Sequence, residues 1–502
     1  MTACVAAVDC GTTTTKCALI DLDGRLVAEH AEPAPLAAGA DGSVTCDVAA
    51  LLDGVCRGLA ACAAAGAARG AEILGASVAN QRATLVPLDG AGAPLGPALS
   101  WQDMRGGPLL EALRRRLPDD AYFAITGLPY FPAFSLAKIL WLRAREPDRF
   151  RRTRRFALVH DFVLHGLGAE WATDQSNASL TGLLDVTRRQ WSARLLDEAG
   201  IESGRLNPLV PPGTVVGRVS AEAAARTGLP AGLPLAAGAG DQQCAGVGAG
   251  AVEPGTVEIT LGTASVPLCV STRPALDPAR RVTCCVHGAP DRWNCEGLQN
   301  AAGASAGWLA AFCGRPQGFA DAEWEEAGRL PPGAEGALFL PYLLGAGAPW
   351  WDARASGAFL GLRPTHGRPQ ALRAVMEGVA FENRAILDVF EELGMPVAEV
   401  RLTGGVSRKA AWNRIQADIY GVPVVTLENP QATLAGAAVL AACGAGAFRS
   451  PLEAVRRMVR PAGRFEPDPA GRAAWAARRR RYRDVRESLR AAGVWTTLDQ
   501  GA

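Results

Sequence analysis

Short apolar runs and polar turns alternate at the start of the chain. Residues 4–8 are apolar and so is the run at 17–21 up to its final Asp21, residues 9–16 between them are mostly polar, and an Asp-Gly pair at 23–24 precedes a third, mixed run at 26–30. Apolar runs of this length, bounded by turn residues, predict three β-strands joined by hairpins.

The first turn is unusually polar for a hairpin. Asp9 and Gly11 are followed by four consecutive threonines at 12–15 and by Lys16. Backbone N–H groups and threonine hydroxyls in such a turn can bind phosphate, and a carboxylate at the strand end can hold Mg²⁺ through water. No GxxxxGK[ST] pattern opens a helix here, so this is not a Walker A loop. The alternative is a hairpin whose threonines serve β-propensity alone.

Helices and strands alternate through the rest of the first half. The pattern predicts helices at 47–68, 106–116 and 134–146, strands at 73–79 and 84–88, and a polar loop at 173–179. Arg82 follows one strand, and Trp101 and Asp103 end the next extended run. Open α/β sheets bind ligands at such strand ends, so these side chains are candidates for a binding site. The alternative for Arg82 is a surface salt bridge.

A lone carboxylate lies in a run of small residues at 236–246. Asp241 is the only charged residue in that run, and Gln242 follows it directly. Glycines on both sides allow positive φ and a close approach of backbone and ligand. Such an aspartate suits a general base that reaches a substrate hydroxyl, rather than a salt-bridge partner. The alternative is a solvated aspartate that caps the following helix.

The pattern of the first strands returns after residue 247. A strand at 255–261, a Gly-Thr turn at 262–265 and a strand at 266–271 repeat the order seen at 5–20. Two copies of one unit, about half the chain apart, indicate a duplicated domain. Two such domains facing each other would place their Gly-Thr turns on either side of one cleft. The alternative is a coincidence between two hairpins.

The second half continues this alternation. The pattern predicts strands at 282–286, 293–297, 336–344 and 423–427, a strand from 400 that breaks at two glycines into a helix ending at 420, and helices at 301–312, 368–393, 432–443 and 473–492. Gly404 and Gly405 would let a base or ribose approach the backbone at a helix N-terminus. The last helix is basic, and we interpret it as a solvated face.

Composition limits the class of protein. A chain of 502 residues predicts two or more domains, and a net charge of +1 gives no basic field for nucleic acid. We find no apolar run long enough to span a bilayer and no signal-peptide pattern, so we expect no membrane partner and a cytoplasmic protein. The 13 cysteines lack CxxC pairs, as expected of buried free thiols. The chain has only three lysines, Lys16, Lys138 and Lys409.

Taken together, seven motifs resemble the FGGY family of carbohydrate kinases over residues 3–490. They are Asp9-Cys10-Gly11-Thr12-Thr13-Thr14, Asn80-Gln81-Arg82, Trp101-Gln102-Asp103-Met104-Arg105, Gly240-Asp241-Gln242, Leu261-Gly262-Thr263, Ala302-Gly303-Ala304-Ser305 and Thr403-Gly404-Gly405. The resemblance implies an α/β fold of two ribonuclease H-like domains of the actin, Hsp70 and sugar-kinase superfamily, with a central cleft. It implies a sugar-binding domain with the catalytic base at 1–247 and a nucleotide-binding domain at 248–502. Dimers are usual in this family, so a homodimer is one expectation.

The resemblance also implies a role for each matched residue, with ATP and Mg²⁺ as cofactors. Asp241 would deprotonate the attacking hydroxyl, and Asp9 would hold the Mg²⁺ shell. The phosphates would meet Thr12, Thr13, Thr14, Lys16, Gly262 and Thr263, and the rest of the nucleotide would be lined by Gly303, Gly307, Gly405 and Lys409. The substrate would face Arg82, Ala83, Trp101, Asp103 and Gln242.

Departures from the family pattern bear on the substrate. Ala83 and Ala133 stand where glycerol kinases carry a substrate-binding Glu and Tyr, and the Met-His pair of xylulokinases is absent at Arg82-Ala83. Replacing two polar side chains with the methyl groups of alanine leaves room in the site for a substrate with more carbon atoms. We therefore favour phosphorylation of a ketopentose such as xylulose, or of a four- to five-carbon polyol. The alternatives are a glycerol kinase and a non-catalytic actin-like ATPase that uses nucleotide as a switch.

Overall fold

The computed structural model describes residues 2–499 and divides into two compact units. Unit 1 contains the chain up to Val252 together with Ser271–Asn294 and Gln431–Arg460. Unit 2 contains Glu253–Val270, Cys295–Pro430 and the chain from Pro461 onward. The units therefore interleave along the sequence, whereas the predicted division falls at one position. The assignment of sugar and nucleotide binding to the two halves stays a prediction.

The elements before residue 253 are mostly short strands and helices in alternation. The strands are β1 (Thr2–Cys10), β2 (Thr14–Asp21), β3 (Leu26–Pro33), β4 (Leu36–Ala38), β5 (Val44–Cys46), β6 (Ala71–Asn80), β7 (Leu85–Leu88), β8 (Ala98–Leu99), β9 (Arg155–Leu158), β10 (Thr173–Asp174), β11 (Leu184–Asp185), β12 (Gln190–Trp191), β13 (Leu209–Val210), β14 (Val215–Arg218) and β15 (Pro234–Ala236). The helices are α1 (Val48–Ala67), α2 (Gly107–Arg116), α3 (Asp119–Thr126), α4 (Ser135–Arg145), α5 (Pro147–Arg152), α6 (Val159–Leu167), α7 (Gln175–Ser179), α8 (Ala193–Ala199), α9 (Ala221–Thr227) and α10 (Asp241–Gly248).

The later elements include the longest helix of the chain as described. The strands are β16 (Gly255–Leu261), β17 (Ser265–Ser271), β18 (Thr283–Val286), β19 (Trp293–Glu296), β20 (Leu338–Leu340), β21 (Ala358–Leu360), β22 (Val397–Thr403), β23 (Val424–Leu427) and β24 (Pro461–Phe465). The helices are α11 (Gly303–Phe312), α12 (Asp321–Arg329), α13 (Arg368–Glu392), α14 (Ala410–Tyr420), α15 (Ala432–Gly444), α16 (Pro451–Met458), α17 (Arg472–Ala491) and α18 (Val494–Asp499).

The central sheet of unit 1 has the order β14-β15-β6-β1-β2-β3. Strands β1, β2 and β3 are joined by antiparallel hairpins, as the sequence predicts, and β6 runs parallel to β1. Successive residues of a strand point to opposite faces, and both faces of β1 are covered. Val5 and Ala7 pack in one core with α15, while Ala6 and Val8 pack in another with α1. This double burial makes β1 a rigid support for the turn that follows it.

Helix α1 is long and apolar enough to cross a membrane by length and composition, so the expectation that no run of this kind exists was wrong. The side chain of Asp47 accepts the N–H groups of Ala49 and Ala50 and starts the helix. Leu51 and Val55 are buried in the core of unit 1, and α1 packs on β2 and β3. The apolar character of α1 therefore serves the core in this structure.

Helices α10 and α15 pack backbone to backbone in unit 1. A Cβ atom on Gly248 would lie 1.9 Å from the carbonyl oxygen of Ala432, and one on Gly436 would lie 1.9 Å from that of Cys244. Any larger residue at either glycine would separate the helices. The contact holds α10 against α15, which also packs on β1 and β6.

The sheet of unit 2 repeats the topology of unit 1. Its strands β17-β16-β22-β23-β24 pair antiparallel, parallel, parallel and antiparallel. The strands β2-β1-β6-β15-β14 pair in the same succession. A coincidence between two isolated hairpins does not explain five matching strands, so the predicted duplication is confirmed.

Two local predictions were wrong. The strand predicted at 336–344 is reduced to the three residues of β20, and the polar loop predicted at 173–179 is β10 followed by α7. Asp174 begins this helix, because its side chain accepts the N–H groups of Ser176 and Asn177. The cysteine prediction is confirmed, since all thirteen are free thiols and eleven are buried.

Candidate active site

Asp241 is the first residue of α10 and lies against the end of β6. A Cβ atom on Gly238 would lie 2.0 Å from the carbonyl oxygen of Val78, and one on Gly240 would lie 2.6 Å from Arg82 Cγ. Gly240 has a φ of −56°. The two glycines are therefore required for close approach, and Gly240 does not use the positive φ that the sequence also allows.

Arg82 and Asp241 form an ion pair. Arg82 Nε lies 3.1 Å from Asp241 Oδ1, with the two side chains 18% and 35% exposed. The expectation that Asp241 has no salt-bridge partner was wrong, and the salt bridge considered for Arg82 exists, although its arginine is largely buried. Asp241 Oδ1 also accepts the N–H of Gln242 at 2.8 Å. Arg82 and the backbone N–H of Gln242 both fix the direction of the carboxylate.

Asp9, on β1, is half-buried and lies close enough to Asp241 to feel its charge. The pKa of Asp9 is raised to about 7, first by loss of solvation and then by the charge of Asp241, while the charge of Lys16 opposes both effects. Its Oδ1 atom has no hydrogen-bond partner. Residues 2–499 contain no cluster of three or more His, Cys, Asp and Glu that could hold a metal. The unpartnered oxygen therefore fits a hard cation held largely through water, as Mg²⁺ prefers.

The threonine turn is closed by a glycine and held by a tryptophan. A Cβ atom on Gly11 would lie 2.8 Å from the carbonyl oxygen of Thr14, so the turn requires glycine. Trp101 Nε1 donates to Thr12 Oγ at 2.9 Å. Thr13 is exposed and Thr14 is half-buried. These threonines thus lie at the end of β1, beside Asp9, as a phosphate turn requires.

Lys16 and Asp103 are both engaged by neighbouring side chains. Lys16 Nζ donates to Gln431 Oε1 at 2.9 Å. Asp103 is 2% exposed, and Arg105 grips its carboxylate with Nε at 3.0 and 3.1 Å and Nη2 at 2.7 Å. Arg105 in turn stacks on the Trp141 ring at 3.9 Å. Arg105 therefore engages both carboxylate oxygens of Asp103, and the contact of Asp103 with substrate stays a prediction.

Ala83 and Ala133 are buried methyls. Ala83 has a φ of +61°, and Ser135 Oγ donates to its carbonyl oxygen at 3.2 Å. Lys138 Nζ donates to the carbonyl oxygens of Ala133 at 2.6 Å and Pro132 at 3.2 Å. Burial lowers the pKa of Lys138 to about 7. Lys138 thus holds the turn that carries Ala133.

The Gly262-Thr263 turn of unit 2 is enclosed by backbone. A Cβ atom on Gly303 would lie 2.4 Å from the carbonyl oxygen of Gly262. Gly404 has a φ of +82°, and a Cβ there would lie 2.6 Å from the carbonyl oxygen of Leu261. The turn, the start of α11 and the end of β22 therefore meet.

The other predicted nucleotide residues of unit 2 differ in their surroundings. A Cβ atom on Gly307 or Gly405 would meet nothing within 4 Å, which leaves space for a ligand. Gly405 begins a 3₁₀ turn, Gly405–Arg408, and α14 starts only at Ala410, so the helix N-terminus predicted at Gly404 and Gly405 was misplaced. Lys409 Nζ lies 2.6 Å from Asp321 Oδ1 on α12.

A buried polar network behind Asp241 was missed from the sequence. It includes His160 and Asp161 on α6, and Asp174 and Ser176 at the start of α7. The signals were present: a charged pair inside the apolar stretch 156–164, and a polar run at 173–177 too dense for one turn. The sequence could not show that the charged pair and the polar run belong to one site, because the residues that join them lie far away in the chain.

Comparison with known proteins gives the class. The model of the FGGY family of carbohydrate kinases, N-terminal domain, matches residues 4–248, and the model of its C-terminal domain matches residues 257–445. The protein is a carbohydrate kinase, and the alternative of a non-catalytic switch protein was wrong. The chain belongs to the FGGY family.

Individual relatives agree with this membership. The chain is 31% identical to the xylulose kinase of Bacillus subtilis over 463 residues, 92% of each chain. It is 33% identical to the glycerol kinase of Alkalilimnicola ehrlichii over 385 residues, 74% of this chain and 76% of the other. The solved xylulose kinase from Rhodospirillum rubrum matches with a TM-score of 0.90 and 30% identity, covering 97% of this chain and 99% of that one. The predicted two-domain α/β fold is confirmed, and the central cleft stays a prediction.

Proposed function

We propose that this kinase transfers the γ-phosphoryl group of ATP to a hydroxyl of a ketopentose such as xylulose, with Asp241 as the general base. The observation that carries the proposal is the Asp241 carboxylate, fixed by Arg82 at 3.1 Å and coupled to the charge of Asp9. The xylulose kinase relatives, which align over nearly the whole chain, support the choice of sugar.

Asp241 would accept the proton of the attacking hydroxyl. As the new bond from the substrate oxygen to phosphorus forms, the bond from phosphorus to the ADP oxygen breaks, and the hydroxyl proton passes to the carboxylate. Arg82 would keep the carboxylate of Asp241 in the same orientation during the transfer. Because phosphoryl transfer depends mainly on alignment and charge stabilisation, a carboxylate locked by an arginine and a helix N-terminus suits this role.

Asp9 would hold Mg²⁺, which when bound neutralises charge on the phosphates. The hydroxyls of Thr12, Thr13 and Thr14 would donate to phosphate oxygens beside it. In unit 2, Gly262 and Thr263 would contact phosphate, and the open positions at Gly307 and Gly405 would admit the nucleoside. ATP is the expected donor on these grounds.

Glycerol is the second candidate substrate. The 33% identity to a glycerol kinase favours it, and so does the Asn80-Gln81-Arg82 motif. The buried methyls of Ala83 and Ala133 argue against it, because two polar groups expected to bind a triol are missing. A four- to five-carbon polyol fits the same space.

A coupled ADP-release screen tests the proposal. Ketoses and alditols of three to six carbons are offered with ATP and Mg²⁺, and we expect the largest kcat/KM with xylulose or a related ketopentose. A preference for glycerol would replace the substrate assignment. Absence of stimulated ADP release with every member of the panel would refute the proposed reaction.

A further inference from the structure

Two buried side chains hold the backbone directly ahead of Asp241. The N–H of Gly238 donates to His160 Nε2 at 3.1 Å, and the N–H of Gly240 donates to Ser176 Oγ at 3.0 Å. Both acceptor side chains belong to fully buried residues. The segment that presents the base is therefore tied down at alternate residues.

The chemistry of each acceptor is set by a second partner. Ser176 Oγ donates its single proton to Asp174 Oδ1, so it meets Gly240 as an acceptor. His160 Nδ1 lies 3.0 Å from Asp161 Oδ1 and 3.7 Å from Asp174 Oδ2. A proton on Nδ1 satisfies these carboxylates and leaves the Nε2 lone pair for Gly238.

The two carboxylates are themselves anchored. Asp161 Oδ2 accepts the N–H of Leu158 at 3.0 Å and Asn207 Nδ2 at 2.8 Å. Asp174 Oδ2 accepts Asn177 Nδ2 at 2.6 Å, and the same amide nitrogen lies 2.8 Å from Asn80 Oδ1. A buried network with this many satisfied partners is rigid, because moving one member breaks several hydrogen bonds.

We propose that His160 and Ser176 are positioning residues that fix the backbone of residues 238–240 and thereby aim Asp241 at the substrate hydroxyl. The inference rests on the proposed role of Asp241 as the base. In the proposed function, neither side chain contacts the substrate or the nucleotide. Catalysis depends steeply on alignment, so loosening this segment lowers kcat and leaves the KM values for sugar and ATP nearly unchanged.

Ser176→Ala is the first test, with Ser179→Ala as the matched control. Both serines are buried on α7 and both accept a backbone N–H, but Ser179 Oγ receives that of Val286 at 3.0 Å. Each variant removes one hydroxyl that makes two hydrogen bonds, because Ser176 Oγ also donates to Asp174 Oδ1 and Ser179 Oγ also donates to the carbonyl oxygen of Gln175. We expect a fall in kcat of roughly 10- to 100-fold for Ser176→Ala only.

Histidine variants give an independent test on α6. His160→Leu removes the acceptor for Gly238, whereas the amide oxygen of His160→Gln can replace it, so the Gln variant recovers most of the kcat lost by the Leu variant. His165→Leu is the control, because His165 is also on α6 but its Nδ1 bonds the carbonyl oxygen of Ala169, just beyond the end of the helix, and not a residue of the segment 238–240. Hydrogen–deuterium exchange at residues 237–241 should accelerate in His160→Leu and Ser176→Ala alone.

The outcomes separate this inference from the proposed function. Asp241→Ala is assayed in parallel. If it is inactive while Ser176→Ala and His160→Leu keep wild-type kcat and exchange, the positioning role is overturned and the base assignment stands. If Asp241→Ala still transfers phosphate, both are overturned. Should His160→Leu fail to fold, Ser176→Ala decides alone.

Discussion

The indole N–H of Trp101 donates to the hydroxyl oxygen of Thr12 at 2.9 Å. An indole nitrogen can only donate, so Thr12 accepts in this contact and its own hydroxyl proton is left for another acceptor. Within unit 1 the bond connects two predicted parts of the site. Trp101 is predicted to face the substrate, and the turn that contains Thr12 is predicted to bind phosphate. Trp101 thus orients the hydroxyl of Thr12, which is predicted to contact phosphate.

Trp101→Phe should raise the KM for ATP and lower kcat/KM by roughly 5- to 30-fold, since one neutral hydrogen bond contributes about 1–2 kcal/mol when its loss leaves a partner unsatisfied. Thr12→Val should act on the same interaction, so the double variant should be far less than additive. Trp191→Phe is the control, because Trp191 Nε1 also donates, at 2.9 Å, but to the carbonyl oxygen of Asn207. Additive effects would show that the two residues act independently.

Asp241→Ala should lower kcat by about 10²–10⁴-fold, because general-base catalysis contributes on that scale. ATP binding, measured by calorimetry, should stay near the wild-type value. Arg82→Met keeps most of the side-chain volume but removes the ion pair with Asp241, so kcat should fall as well. Arg57→Met, which removes an exposed ion pair with Glu32, should leave kcat unchanged. Unchanged turnover in Asp241→Ala would remove the base assignment.

The raised pKa of Asp9 predicts a pH-dependent stability. A carboxyl with a pKa of about 7 in the folded protein and near 4 when unfolded binds its proton more tightly in the folded state. The free energy of unfolding of the metal-free protein should therefore fall as pH rises from about 4 through 7, by roughly 2–4 kcal/mol.

Asp9→Asn should remove this part of the pH dependence and should unfold at a higher temperature than the wild type at pH 8. Adding Mg²⁺ at pH 8 should raise the wild-type midpoint and leave that of Asp9→Asn where it was. Thermal unfolding at pH 5 and pH 8 provides the measurement. Equal pH slopes in the two proteins would contradict the raised pKa of Asp9.

The pocket hypothesis predicts that Ala83→Glu with Ala133→Tyr shifts preference toward glycerol. The ratio of kcat/KM for glycerol to that for the ketopentose should rise at least about tenfold, because buried polar groups reject substrates that do not satisfy them. Ala83 already has its left-handed backbone with a Cβ present, so Glu adds no new backbone conformation. Ala83→Leu with Ala133→Phe fills the same space without polar groups and should lower both activities. No gain for glycerol would refute the pocket argument.

Local patterns were enough to predict much of this fold. The hairpin of β1 and β2, the start of α1 at Asp47 and the repeated hairpin of β16 and β17 follow from residues adjacent in the chain. The Arg82–Asp241 pair could not be predicted in this way, because it depends on β6 and α10 meeting in space. The polar run at 173–179 was predicted to be a loop, whereas it forms β10 and α7, its side chains are mostly buried, and Asp174 accepts hydrogen bonds from Ser176 and Asn177.

The interleaving of the two units has a consequence for synthesis. Helix α15 covers the face of β1 that carries Val5 and Ala7, yet it begins only at Ala432. A ribosome makes the first strand early and the helix that shields it near the end. Throughout most of translation, this apolar face must remain exposed or be shielded by a chaperone.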